Sequence, residues 1–252
     1  MSVVRFTSPE AEERYAALVA VASSCVVGLD FDGTLAPIVA VPADARALPA
    51  ALDAIHGLAA LPGTTVVLVS GRALADLATV SGLGPPVRLI GSHGLEPDGD
   101  PVPLDDAQRE RLDRLNAEVD ALVDGEPGVR TERKPAGVAV HVRGAEPDVG
   151  TRVLDALRDG PAAAPGIVTT PGKAVLDLAV TDMSKGIALD RMRGAATVFF
   201  AGDDVTDETA FVRLRPGDVG VKVGDGDTAA THRVPDPAAL VAVLAELYAA
   251  RR

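Results

Sequence analysis

Cysteine is nearly absent from this 252-residue chain: Cys25 stands alone. No internal disulfide can form, and nothing in the sequence requires an oxidising compartment. Placed just before an apolar run, Cys25 reads as buried packing rather than as a nucleophile. Basic charge is also short, with 24 Lys and Arg against 36 Asp and Glu and a formal net charge of -12. That balance excludes a general nucleic-acid binder, which needs a basic face toward phosphates. A small anionic substrate is still compatible, because a few cations can converge in one pocket. No uninterrupted apolar run reaches membrane-spanning length. Ala16 to Ala22 is apolar, but Glu10, Glu12 and Glu13 precede it where a secretory signal wants positive charge. Ser8-Pro9-Glu10 reads instead as the start of a helix over about Pro9 to Ser23. The chain is therefore expected to be cytoplasmic, without a membrane or nucleic-acid partner. Internal repeats are missing, and the Asp225-Gly226-Asp227 turn lacks the spaced oxygen ligands of a calcium loop.

What is present begins with Val26-Val27-Gly28-Leu29-Asp30-Phe31-Asp32-Gly33-Thr34-Leu35. An apolar run, predicted to be a buried strand, ends in two aspartates two positions apart and a Gly-Thr turn. Unpartnered burial of Asp30 and Asp32 would be costly, so both belong where the strand ends, with the turn able to aim them at one point. In a parallel sheet that is the carboxyl edge, where ligands bind. Carboxylates this close suit a magnesium ion, a nucleophile and an acid/base partner. The plainer reading is a strand followed by a common Asp-Gly turn.

The pattern repeats. Thr64 to Val69 ends in Ser70-Gly71-Arg72, Val87 to Ile90 in Gly91-Ser92-His93-Gly94, and Thr197 to Ala201 in Gly202-Asp203-Asp204, with helices between. Lys185 opens a helix. The expected fold is α/β, a doubly wound parallel-sheet (Rossmann-like) core over residues 1–98 and 184–252. A Pro/Gly/Asp-rich stretch at Pro97 to Pro103 marks a boundary. The helix-strand-strand-helix-strand-strand rhythm that follows reads as a smaller inserted α/β cap domain, residues 99–183. Such a lid excludes water and supplies selectivity. In it Glu132 and Lys134, and likewise His141 and Arg143, are two apart on predicted strands and so share a face. Lys173 and Asp177 are four apart across a turn. Polar groups on a shared face suit a hydroxyl-rich ligand, and they suit an ordinary solvated sheet face equally.

Asp30, Asp32, Ser70, Lys185, Asp203 and Asp207 together match what phosphoryl transfer needs: an attacking carboxylate, a neutralising cation, and groups that hold phosphoryl oxygens. Taken singly, Ser70 fits a strand-to-helix turn, Lys185 a solvated helix start, and the acidic run from Asp203 a helix cap. In order and in strand context, these segments resemble the four motifs of the haloacid dehalogenase superfamily of phosphatases. The resemblance implies Asp30 as nucleophile and Asp32 as general acid/base whose backbone carbonyl also meets Mg2+. It implies Ser70 and Lys185 as phosphate ligands, Asp203 as a metal ligand and Asp207 behind the metal.

Pro37-Ile38-Val39, Ser70-Gly71-Arg72, Gly91-Ser92-His93-Gly94-Leu95-Glu96, Glu132-x-Lys134, His141-x-Arg143, Gly172-Lys173 and Gly202-Asp203-Asp204-Val205-Thr206-Asp207-Glu208 resemble the trehalose-6-phosphate phosphatases more narrowly. In that family the residues matching Glu132, Lys134, Arg143, Lys173 and Asp177 contact sugar hydroxyls. Asp177 stands where the family usually has Glu, and Ala179-Val180 where it often has Arg-Pro. Arg72 either starts a helix or orders the phosphate loop, and His93 with Gly94 either makes a turn or lines the cleft. All three join the substrate-side set. The implied activity is Mg2+-dependent hydrolysis of a small-molecule sugar phosphate, trehalose-6-phosphate, to trehalose and phosphate through an aspartyl-phosphate intermediate, and the chain is expected to be a monomer. Alternatives are a sucrose- or mannosylglycerate-type ester, a phosphosugar mutase, or a receiver-like phospho-acceptor. The leaving-group acid and the large insert argue against the last.

Overall fold

The computed structural model describes residues 5–6, 13–18, 22–98, 103–172 and 174–252. Arg5–Phe6 (β1) and the helical residues 13–18 (α1) precede Cys25–Leu29 (β2), and the rest of the helix expected over Pro9 to Ser23 lies outside the described residues up to Val21. All five residues of β2 are buried. Pro49–Ala59 (α2), Thr64–Val69 (β3), Leu74–Ser81 (α3), Arg88–Gly91 (β4) and Glu96–Pro97 (β5) follow. Pro49 pre-sets the first turn of α2. Ala51, Ala54, Ile55 and Leu58 then bury one stripe at helical spacing.

Next come Asp106–Val123 (α4), Arg130–Lys134 (β6), Gly137–His141 (β7), Pro147–Asp159 (α5), Val168–Gly172 (β8) and Val175–Ala179 (β9). Lys185–Arg193 (α6), Thr197–Gly202 (β10), Glu208–Phe211 (α7), Val219–Val223 (β11), His232–Val234 (β12) and Pro237–Arg251 (α8) close the chain. Two compact units result, Met1–Gly99 with Met183–Arg252, and Asp100–Asp182.

In the first unit the strands lie in the order β1-β12-β11-β10-β2-β3-β4-β5. The six inner strands are parallel, and the two-residue β1 and β5 run antiparallel at the edges. Alternating side chains feed two layers. Val27, Leu29, Leu68 and Phe199 pack with Ile55, Leu58, Leu240 and Leu244 of α2 and α8. Val26, Val67, Val198 and Phe200 pack with Leu189 of α6 and Phe211 of α7. Helices on both faces make this a doubly wound parallel sheet, as the alternating runs predict. Antiparallel β5 was not foreseen, because two residues including Pro97 carry no strand signal.

The second unit is an antiparallel sheet in the order β6-β7-β9-β8. Val138, Val140, Leu176 and Leu178 are buried on one face, and α4 and α5 bury Leu115, Val119, Val153 and Leu157. Asp105 starts α4 in a capping box with Gln108, which satisfies two backbone donors at once. No helix among the described residues is long and apolar enough to cross a membrane.

Candidate active site

β2 sits between β10 and β3 at the centre of the sheet, and its last hydrogen bond beyond Leu29 runs from Asp30 N to Ala201 O at 2.9 Å. The chain then turns, and the buried Asp30 carboxylate meets two donors. Lys185 Nζ donates to its Oδ1 at 2.7 Å, and Thr34 Oγ1 donates to its Oδ2 at 3.1 Å. Lys185 is itself buried at the first turn of α6, where Ser184 caps the helix, and it also donates to Asp207 Oδ1 at 2.8 Å. The other oxygen of Asp207 accepts from the backbone N–H groups of Asp203 and Asp204 at 3.0 and 3.1 Å. Asp207 thus ties down the loop after β10.

Asp203 faces Asp30 across the Gly33 turn. At φ +83° Gly33 is left-handed, and a Cβ there would lie 2.1 Å from Asp203 Oδ2. Only glycine lets the two segments close to this distance. Asp30, Asp203 and Asp207 can each offer an oxygen within 4.8 Å of the others.

The electrostatics follow from this crowding. Burial, together with the charges of Asp30 and Asp204, pushes Asp203 up to about 7. Burial also raises Asp30 and Asp207 against the pull of Lys185. Lys185 loses hydration on burial, yet Asp207, Asp30 and Asp204 hold it protonated, above its ordinary value. For Asp204 burial is outweighed by Lys185 and by hydrogen bonds from Thr206 and Asp207, which bring it to about 2. Two buried carboxylates and the half-buried Asp203 crowd around one lysine, and their all-oxygen donor set fits a hard divalent cation.

Asp32 does not join this cluster. The expectation that the turn aims both aspartates at one point gives way to separate partners: Arg72 grips Asp32 bidentately, Nε to Oδ2 at 2.6 Å and Nη2 to Oδ1 at 2.7 Å. The strand has already ended at Leu29, so alternation along an extended chain no longer governs where Asp32 points. Arg72 also donates to Asp76 at 2.6 Å and to Pro42 O at 2.8 Å, and its guanidinium lies 5.7 Å from the Phe31 ring centroid. Ser70 is buried at the end of β3, its Oγ accepting from Arg72 N at 3.2 Å. His93 and Gly94 follow β4 in a 3-10 turn, and the His93 ring covers Gly71.

In the second unit, register puts Arg130, Glu132 and Lys134 of β6 on the same face as His141 and Asp177, opposite the helices. His141 Nε2 lies 2.9 Å from Glu132 Oε2, and Lys134 pairs with Asp177. The hydrogen bond with His141, aided by Lys134, holds Glu132 below the usual carboxylate range despite its partial burial. Arg143 does not share a strand face with His141. β7 ends at His141, and Arg143 lies in the turn after Val142, whose N–H still bonds Ala174 O. Lys173 lies outside the described residues.

Sequence reasoning missed three groups. Thr34 was read only as a turn residue. Lys222 donates from within β11 to Asp203 O at 2.5 Å, and a lone lysine in an apolar strand was the available signal. His141 was noted for its face but not for its bond to Glu132.

Comparison with known proteins bears on the whole arrangement. The pattern of the trehalose-phosphatase family matches residues 28–237. The trehalose-phosphate phosphatase of Mycobacterium avium is 37% identical over 238 residues, covering 84% of this chain and 59% of its own length. That of Mycobacterium tuberculosis is 38% identical over 237 residues, covering 86% and 60%. The chain thus spans about 59% of the first of these relatives. The C-terminal domain of C. albicans trehalose-6-phosphate phosphatase matches with a TM-score of 0.76 at 22% identity, covering 98% of this chain and 99% of that one, a likeness of fold. With the sequence pattern running from the middle of β2 to the start of α8 and relatives this similar, the chain belongs to the trehalose-phosphatase family.

Proposed function

We propose that this chain is a magnesium-dependent phosphatase that releases trehalose and phosphate from trehalose-6-phosphate through an aspartyl-phosphate. The observation that carries the reading is the buried Asp30 carboxylate, held by Lys185 and Thr34 beside Asp203 and Asp207. An Asp30 oxygen attacks phosphorus, the bond from phosphorus to the ester oxygen breaks, and Asp32 gives that oxygen its proton. Water then attacks the acyl phosphate and passes a proton to Asp32, restoring Asp30. Arg72 fixes the position of the Asp32 side chain. Ser70 and Lys185 hold phosphoryl oxygens. Asp30, Asp203 and the Asp32 backbone carbonyl would hold the magnesium ion, which neutralises charge around the phosphoryl group when bound. Both Asp207 oxygens already serve Lys185 and the loop backbone, so Asp207 acts from behind the metal ligands.

Residues 99–183 act as the cap that selects the substrate. Glu132, Lys134, Arg143, Lys173 and Asp177 recognise the sugar hydroxyls, and Arg72, His93 and Gly94 line the phosphate side. Pairing of Glu132 with His141 and of Lys134 with Asp177 supports this, because both pairs lie on the sheet face left clear of helices. The test is phosphate release from trehalose-6-phosphate, sucrose-6-phosphate, glucose-6-phosphate and a mannosylglycerate phosphate, each with magnesium and with EDTA. EDTA-sensitive preference for the trehalose ester is expected. Preference for another ester would move the substrate and point to Asp177 and Ala179, and release from none would overturn the reading.

A further inference from the structure

We infer that Glu96 is a positioning residue for the phosphate site, a two-pronged clamp that sets the loop carrying Ser70. This rests on the reading of Ser70 as a phosphoryl ligand. Glu96 stands in β5, directly opposite Gly91 in the antiparallel register. One carboxylate oxygen, Oε2, accepts from Leu74 N at 2.8 Å, at the end of the Ser70–Ala73 loop. The other, Oε1, accepts from Ser92 Oγ at 2.6 Å, in the loop after β4. A single side chain therefore fastens two loops that leave adjacent strand ends.

The backbones are interlocked at the same place. Ser92 N donates to Arg72 O at 2.7 Å, and His93 N donates to Ser70 O at 2.9 Å. A Cβ on Gly91 would lie 2.5 Å from Leu74 N and 2.8 Å from Arg72 O. Ser92 and His93 make these bonds from left-handed conformations, φ +48° and +55°, which non-glycine residues hold only when their surroundings impose it. The Ser92 hydroxyl bond to Glu96 is one such restraint. Capping of α3 would need only the Leu74 prong, so the second prong has a different use. It keeps residues 92 and 93 strained against the carbonyls of Arg72 and Ser70, and so fixes where the Ser70 hydroxyl stands.

The test compares inorganic phosphate as a competitive inhibitor, kcat and KM on an aryl phosphate, and thermal melting for the full chain and for Glu96→Ala, Glu96→Gln, Ser92→Ala and Ser70→Ala. Glu96→Ala is expected to weaken phosphate about tenfold and to raise KM in parallel. Glu96→Gln, which can still accept from Leu74 N and bridge to Ser92, recovers most of that loss. Ser92→Ala removes one prong alone, gives an intermediate loss, and decides the matter if Glu96→Ala fails to fold. Weakened phosphate in Ser70→Ala with wild-type affinity in folded Glu96→Ala, or in Ser92→Ala, would overturn the clamp. Equal losses in Glu96→Gln and Glu96→Ala would overturn it too, since charge and not bridging would then be the cause. Wild-type phosphate affinity in Ser70→Ala would instead remove the reading of Ser70, and the clamp with it.

Discussion

Asp30 concentrates the conflict between stability and chemistry in one side chain. Its burial disfavours the charge that the proposed attack on phosphorus needs, and Lys185 sustains that charge. Asn in its place keeps the volume and can still accept from Lys185 and pair with Thr34, but offers no carboxylate. Asp30→Asn is therefore expected to lose at least ~10⁴-fold in turnover while melting no lower than the wild type, since a repelling charge leaves the cluster. Steady-state kinetics and a melting curve on the same preparation check both halves, and retained turnover would remove Asp30 as the attacking group. The positions of Asp30, Ser70, Lys185 and Asp203 were legible because each stands where an apolar run stops or a helix starts. Their partners were not. Nothing near Asp32 in sequence announces Arg72, 40 residues away, and nothing near Asp203 announces Lys222.

The strands and helices were legible wherever the hydrophobic period was long enough, as in β2, β3, β10 and α4. The short β5 and the early end of β7 were not, since two or three residues carry no period. The consequence of burial at the start of β2 can be measured. Cys25 is buried, and loss of hydration pushes its thiol from 9.0 to about 11. Below pH 9 both folded and unfolded chains keep this proton. Between pH 9 and 11 the unfolded chain releases it and the folded one does not, so stability falls across that window by on the order of 2 kcal/mol. Urea unfolding of wild type and Cys25→Ala at pH 8 and pH 11 is expected to show the gap between them shift by this amount. At the same edge of the sheet, Arg193 and Asp218 form a buried bidentate pair at 2.6 and 2.7 Å, and Asp218 also accepts from the Val198 and Arg215 backbones. Asp218→Ala strands the guanidinium and is expected to cost ~3–5 kcal/mol in the same assay. This pair left no trace in the sequence, because 25 positions and a strand separate its members.

At the scale of the molecule, the reading divides labour between the two units: chemistry in the parallel sheet, choice of substrate in the antiparallel one. Glu132→Ala is expected to raise KM for trehalose-6-phosphate about tenfold and to leave an aryl phosphate nearly untouched, and equal losses on both would sink the division. The fold class was legible because βα alternation is written in most of the first unit, whereas the polar face of the second needed register to be seen. The parallel sheet has one more consequence, for the order of assembly. Lys185 and Asp30 meet across 155 positions, and Thr34 approaches Asp203 across 169. The four strands of the second unit, by contrast, are drawn from residues 130–179 and pair nearly in sequence order. Contacts that close long loops form slowly. A refolding chain is therefore expected to regain its antiparallel sheet first, and Asp30 acquires its lysine only when the central strand finds β10, so returning turnover would time the last step of folding.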